Sequence, residues 1–207
     1  MTENQALTPE QQQFEDLIQG LLVDGYGCSD NFLTVGDISG LRNNIQSLKK
    51  SQEMKSAGLG NKSKLHKNQE IRGDKIKWLE KESTDVFEII FLTKMDNFIK
   101  YLNETCYTAI HTFESHYASY EQKRFYKRHL DQFKNDNGRK YSLILYLNED
   151  WGKEDGGNLS LYPKDSQQKE IAPIGGRMIF FKSDEMEHEV HPSFTRSRIS
   201  IAGWFKG

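Results

Sequence analysis

The hydrophobic period of this 207-residue chain changes partway along it, and that change restricts the fold more than any single motif does. Up to about residue 102, apolar side chains recur at helical spacing. Thr8 can cap a helix with Pro9 at its first position, after which Phe14, Leu17, Ile18, Leu21 and Leu22 share one face. "YGCSDNFL" reads as a short strand and turn; Ile38, Leu41, Ile45 and Leu48 then mark one side of a second helix. "DKIKWLE" reads as a strand, and Met95, Phe98, Ile99 and Leu102 place a third helix over residues 90–102. Beyond it the period shortens. "KYSLILYL", "NLSLY", "GRMIFF" and "RISIAGWF" are strand candidates separated by turn-rich segments such as "KNDNGRK", "EDGGN" and "APIGGR". Three helices followed by closely spaced strands predict an α+β fold, with a sandwich or jelly-roll sheet core and helices packed outside it.

A chain of this length supports one substantial core, so a single domain over residues 1–207 is expected. The formal net charge of -2 provides no general field to attract nucleic acid or an anionic membrane. Two cysteines, Cys28 and Cys106, form neither a ligand cluster nor a disulfide framework, which suits a reducing compartment. The N-terminal "MTENQALTPEQQQFEDLIQ" lacks a basic flank followed by an apolar run, and no apolar stretch approaches a bilayer span. A cytoplasmic location without a membrane partner is the expectation. Residues 51–74 differ from their surroundings: they are polar, contain Gly58, Gly60 and Gly73, and carry Lys55, Lys62, Lys64 and Lys67. A segment of this kind is either a solvated linker or a mobile, lid-like loop, and the lid is the favoured reading because of the chemistry downstream.

That chemistry begins in "YKRHLDQF". His129 and Asp131 are two residues apart, so on a strand they point the same way and present a nitrogen and an oxygen ligand together. His188 in "EMEHEVHP" is the strongest candidate for a third ligand, with His191 as a competitor three residues on. Two histidines and one carboxylate occupy one face of an octahedral ion and leave positions open, a pattern that suits ferrous iron better than a closed structural zinc. An isolated pair of this kind is also what a solvated histidine beside a surface aspartate would give. In "RSRISIAGWF", Arg198, Ser200, Ala202 and Trp204 share a strand face, and a buried arginine there needs an anionic partner such as a dicarboxylate. Arg196 has the same parity and is the alternative. Tyr146, on one face with Ser142 and Ile144, can donate its hydroxyl to the same carboxylate, or can be an interior tyrosine satisfied elsewhere.

At these residues the sequence resembles the prolyl hydroxylase domain group of the Fe(II)- and 2-oxoglutarate-dependent oxygenases, which includes the animal enzymes acting on hypoxia-inducible factor. "IRGDKIKWLE", "YKRHLD", "LYLNEDW", "EDGGNLSLYP", "FFKSDEMEHEVHP" and "RISIAGWF" occur in the order expected of the group, and the resemblance runs from about residue 12 to the end. It implies a double-stranded β-helix core, cupin-like, supported by N-terminal and central helices. It further implies iron on His129, Asp131 and His188, and 2-oxoglutarate held by Arg198 and Tyr146 with Tyr120 beside its metal-proximal part. Dioxygen is the implied cosubstrate and ascorbate a supporting reductant. Asp74 and Arg139 match positions that look coupled in the group and are expected to form an ion pair anchoring the 51–74 loop. Two departures stand out: "EQKR" follows Tyr120 where many relatives have a Pro and Gly turn, and the His188 to Arg198 spacing is slightly longer than in the animal enzymes.

The implied substrate is a prolyl residue in a protein or peptide, with a translation factor as a candidate in a bacterial setting. The lysines of the 51–74 loop, with Lys123, Arg124, Lys127 and Arg128, can attract an acidic partner. Glu187, Glu189 and His191 are expected at the rim rather than in the chemistry. A hydroxylase of free proline or another small metabolite, and a catalytically silent cupin-like binding or sensing protein, are the alternatives. Nucleic acid ranks below them, because no aromatic base platform is identifiable.

Overall fold

The computed structural model describes residues 6–58, 71–132, 137–164 and 166–207. The order of elements is α1 (Pro9–Asp24), β1 (Tyr26–Ser29), α2 (Val35–Lys50), β2 (Lys55–Ser56), β3 (Asp74–Trp78), α3 (Val86–Cys106), β4 (Thr112–Tyr120), β5 (Tyr126–His129), β6 (Arg139–Tyr146), β7 (Leu159–Tyr162), β8 (Lys169–Ile171), β9 (Met178–Lys182), β10 (Glu187–Val190) and β11 (Arg198–Lys206). Each helix starts where a side chain satisfies its first free amides. Thr8 and Gln11 form a reciprocal capping box on α1, Thr34 accepts from Asp37 N–H at α2, and Asp85 accepts from Phe87 and Glu88 N–H at α3. Gly25, in the left-handed region at φ 79°, ends α1 and turns the chain directly into β1.

Among the described residues, the strands form two antiparallel sheets, one of seven in the order β1-β9-β6-β11-β4-β3-β2 and one of four in the order β5-β10-β7-β8. Alternation along the central strands divides the interior in two. Leu143, Leu145, Leu147, Ile199, Ile201 and Phe205 join Phe14, Leu17, Leu41, Met95 and Phe98 of the helices in one cluster outside the larger sheet. Ile144, Tyr146, Ala118, Tyr120, Ile179 and Phe181 face the other way and meet Leu159, Leu161 and Val190 of the smaller sheet. This is the expected jelly-roll arrangement, two sheets closed over a shared interior with helices backing the larger one. Phe98 sits at the centre of the helix-side cluster, 4.6 Å from the Phe14 ring and 5.1 Å from that of Phe180.

Some expectations change. Leu22 is 72% exposed, because the face of α1 that contacts the core ends with Leu21 and the helix runs past it. The 51–74 segment is not featureless at its ends. Lys55 and Ser56 pair with Ile76 and Lys75, Met54 and Ala57 are buried, and Asp74 opens β3. Residues 59–70, which carry most of the expected lid, lie outside the described residues. The strand β4, nine residues long, has no clean alternation in sequence because both of its faces are covered, one by helices and one by the opposite sheet. Among the described residues, no helix is long and apolar enough to cross a membrane.

Candidate functional site

β10 places His188 on the inner face of the smaller sheet, opposite His129 at the end of β5. Asp131 is not on the strand with His129, as alternation predicts; β5 stops at His129 and the aspartate lies in the bend that follows. The bend still returns its carboxylate to the histidines. His129 Nε2 is 3.5 Å from Asp131 Oδ1, His188 Nε2 is 3.7 Å from Oδ2, and one ligand atom from each of the three lies within 4.8 Å of the others. His191 does not join them. Its Nε2 contacts Ser160 Oγ at 2.5 Å and lies 3.8 Å from Glu170 on the outer side of β7.

The donor set suits a divalent ion. Nδ1 of His129 meets the Lys127 carbonyl at 2.7 Å and Nδ1 of His188 meets the Met186 carbonyl at 3.1 Å, so both rings carry their proton on Nδ1 and turn the Nε2 lone pair inward. Burial lowers the His188 pKa to about 4, reinforced by the neighbouring His129, which keeps its imidazole neutral. Burial pushes the Asp131 carboxyl up, but His188, His129 and Arg139 outweigh it and hold the group well below the usual carboxylate range. Two neutral imidazoles and one ionised carboxylate, leaving part of the coordination sphere open, form the facial set that suits ferrous iron.

β11 directs Arg198 into the same cavity, where it is 2% exposed. Its Nη2 reaches Tyr146 Oη at 3.3 Å, its guanidinium lies 4.9 Å from the Tyr146 ring centre and 5.3 Å from that of Tyr120, and its Nε has no hydrogen-bond partner among the described residues. A buried guanidinium held by two tyrosines, with no carboxylate paired to it among the described residues, suits an anion. Arg196 does not fulfil that role. It precedes β11, so strand parity does not apply to it; it pairs with Asp155 at 2.8 Å and lies over Trp151 at the surface. Tyr120, directly opposite Arg198 in the sheet, is buried in the cavity wall despite the altered turn after it.

The expected pair of Asp74 with Arg139 is replaced by two others. Asp74, 3% exposed, is taken bidentately by Arg72 at 2.6 and 2.9 Å. Arg139 pairs with Glu114 at 3.0 Å, stacks 3.5 Å over Trp204 and reaches the Asp131 carbonyl at 3.4 Å. Short-range geometry decides the exchange: Arg72 is on the same stretch of backbone as Asp74, while β6 aims Arg139 at the base of the metal cluster. Arg139 thereby supports the backbone of Asp131, a position for which sequence spacing held no signal. Arg72, Tyr126 and His116 also line the cavity and were not singled out by sequence. His116 is 2% exposed, packs edge-on against Trp78 at 5.1 Å, and is driven to a pKa of about 4 by burial, reinforced by Arg72.

Comparisons with known proteins point to one superfamily. Residues 115–206 match the model of the 2OG-Fe(II) oxygenase superfamily. The chain is 34% identical over 149 residues to Egl nine homolog 1 of Homo sapiens, a match covering 69% of this chain and 34% of that protein. The Egl nine homologs it matches are thus longer, and this chain spans between 34% and 44% of their length. Its structure superposes on a Pseudomonas putida prolyl-4-hydroxylase with a TM-score of 0.83 at 30% identity, covering 93% of this chain and 98% of that one. It superposes equally well, with a TM-score of 0.85 at 26% identity, on a prolyl hydroxylase from Trichoplax adhaerens in complex with a hypoxia inducible factor oxygen degradation domain peptide fragment, covering 95% and 90%.

Proposed function

The chain belongs to the 2OG-Fe(II) oxygenase superfamily, in the branch related to prolyl hydroxylases, and from that premise we propose that it is an Fe(II)- and 2-oxoglutarate-dependent hydroxylase of prolyl residues in a protein or peptide. The observation that carries this reading is the pairing, in one cavity, of the His129, Asp131 and His188 cluster with the anion-seeking Arg198. His129, Asp131 and His188 would hold iron. Arg198 and Tyr146 would hold the distal carboxylate of 2-oxoglutarate, and Tyr120 would wall the cosubstrate on the β4 side. Bound iron with 2-oxoglutarate supplies oxidative decarboxylation coupled to insertion of oxygen into a C–H bond. The residues of the chain orient and exclude. The guanidinium fixes one end of the cosubstrate, the tyrosine rings keep water from it, and the backbone bonds at both Nδ1 atoms fix the imidazole tautomers.

No side chain is asked to remove a proton, so Glu187 and Glu189 have other work. Glu187 pairs with Arg128, and Glu189 accepts from Tyr162 Oη at 3.0 Å. A peptide substrate rather than free proline is supported by the likeness to the peptide-bound Trichoplax structure. A translation factor is the narrower candidate, and a reducing cytoplasm suits both ferrous iron and the exposed, unpaired Cys28 and Cys106. The test is anaerobic titration with Fe(II) and 2-oxoglutarate, monitored for a visible charge-transfer band that needs both. It is followed by mass spectrometry of proline-containing peptides and of free proline. A band, and a peptide mass gain of one oxygen atom with little turnover of free proline, is the expected result. A well-folded protein without the band overturns the proposal.

A further inference from the structure

Tyr126 and His129 are three residues apart, a spacing that places side chains on opposite faces of a regular strand. Here they lie on the same side, because β5 carries one residue more than β10 between the pairs Val190–Tyr126 and His188–His129. This bulge turns both side chains inward, as bulges beside active sites commonly do. The result is a flat stack: the Tyr126 and His129 ring centres are 3.5 Å apart with planes inclined by 18°. The guanidinium of Arg72 lies 4.7 Å from the centre of the same tyrosine ring and is itself held by both oxygens of buried Asp74.

The backbone follows the same route. Lys127 lends its carbonyl to His129 Nδ1 at 2.7 Å, and its N–H donates to the Ile71 carbonyl at 3.0 Å; Gly73 N–H donates to the Phe125 carbonyl at 3.0 Å. One peptide residue therefore connects an imidazole of the metal cluster to the 71–74 stem. Once Nδ1–H fixes the tautomer, rotation of the ring about its Cβ–Cγ bond is the remaining freedom that can misdirect Nε2, and a ring lying flat against it removes that freedom.

We propose that Tyr126 is a positioning residue for the metal site and that Arg72, locked by Asp74, braces it, so that metal binding and the seating of residues 71–74 are thermodynamically linked. The inference rests on the reading of His129, Asp131 and His188 as metal ligands. Linkage is reciprocal: a metal that needs His129 aligned stabilises the stem, and loosening the stem weakens the metal.

The test uses Mn(II) alone, titrated against wild type, Tyr126→Phe, Tyr126→Leu, the double variant Arg72→Met with Asp74→Asn, and His129→Ala, with free Mn(II) read by electron paramagnetic resonance. Pairing Arg72→Met with Asp74→Asn avoids stranding a buried carboxylate. Tyr126→Phe keeps the stack and should bind Mn(II) more tightly than Tyr126→Leu, which should lose about tenfold or more, the scale on which outer contacts of metal ligands act. The double variant should weaken Mn(II) as well, although it changes no ligand. Hydrogen exchange read by mass spectrometry should slow with Mn(II) over residues 71–75 and 125–129 in wild type, and less in the double variant. Wild-type Mn(II) affinity in a folded Tyr126→Leu, or in the double variant if Tyr126→Leu does not fold, overturns the inference while leaving the metal reading intact. Absence of Mn(II) binding in wild type, or equal binding by His129→Ala, defeats the metal reading and the inference with it.

Discussion

Replacing Arg198 by methionine should change stability and cosubstrate binding in opposite directions, and that opposition distinguishes a receptor arginine from a structural one. Arg198 is 2% exposed, and among the described residues its guanidinium makes one side-chain hydrogen bond, to Tyr146 and long at 3.3 Å, while its Nε has no partner. A buried ion carries a desolvation penalty of several kcal/mol, of which the Tyr120 and Tyr146 rings and the Tyr146 hydroxyl return a part. Methionine fills similar volume without the charge, so the apo variant should be more stable by about 1 to 2 kcal/mol, or about 2 to 8 °C in Tm for a chain of this size. Truncating one partner of a buried charge pair costs about 2 to 5 kcal/mol, so affinity for 2-oxoglutarate should fall about 30-fold to several thousand-fold. Thermal scans with and without 2-oxoglutarate, in the presence of Mn(II), read both effects. The variant should melt higher than wild type without ligand and show a much smaller ligand-dependent rise at the same 2-oxoglutarate concentration. A variant that melts lower than wild type and keeps the 2-oxoglutarate shift would refute the argument.

Arg196→Met should leave 2-oxoglutarate affinity unchanged in the same assay, because the side chain is at the surface with Asp155; a loss there would transfer the cosubstrate role to it. Hydrogen bonds from Arg196, Thr195 and the Gly152 N–H lower the Asp155 pKa from 3.8 to about 2. Its contribution to stability is complete above the unfolded-state value and is lost as the pH falls through about 2, so the stability gap between wild type and Asp155→Asn should narrow from pH 4 downward. A gap that stays constant over that window, in chemical denaturation, would contradict the assignment. Phe98→Ala, at a fully buried ring stacked against others, should cost about 3 to 5 kcal/mol, while Leu22→Ala, 72% exposed, should cost less than about 0.5 kcal/mol. Gly27→Ala should destabilise by about 1 to 3 kcal/mol or more, since its Cβ would lie 2.2 Å from the Leu17 carbonyl oxygen, where α1 crosses β1 and neither backbone can yield; an unchanged denaturation midpoint would refute that.

Local rules governed what could be read in advance. Thr8 with Pro9, and the spacing of Phe14, Leu17 and Ile18, mark α1 because a helix start and a helix face are properties of a few adjacent residues. The strands β6, β9 and β11 are legible for the same reason, and so is which residues of β6 face the cavity: Ser142, Ile144 and Tyr146 alternate with Leu143 and Leu145, and the two sets enter different clusters or face different neighbours. β4 and β10 are not legible, because a strand covered on both sides, or one four residues long, leaves no two-residue period to detect.

The sequence by itself determined the element types over most of the chain, the identity of His129, Asp131 and His188 as a candidate metal set, and which residues of β6 share a face. These depend on residue type and short-range period, which survive without knowledge of neighbours. Only the tertiary structure decided that Arg198 is buried and Arg196 is not, that Asp74 belongs to Arg72 while Arg139 supports Asp131, and that a bulge in β5 lays Tyr126 against His129. Each of those outcomes depends on where a strand ends or slips relative to its partner. A change of one residue there moves a side chain to the other face of the sheet, and register is set by contacts between segments far apart in the chain.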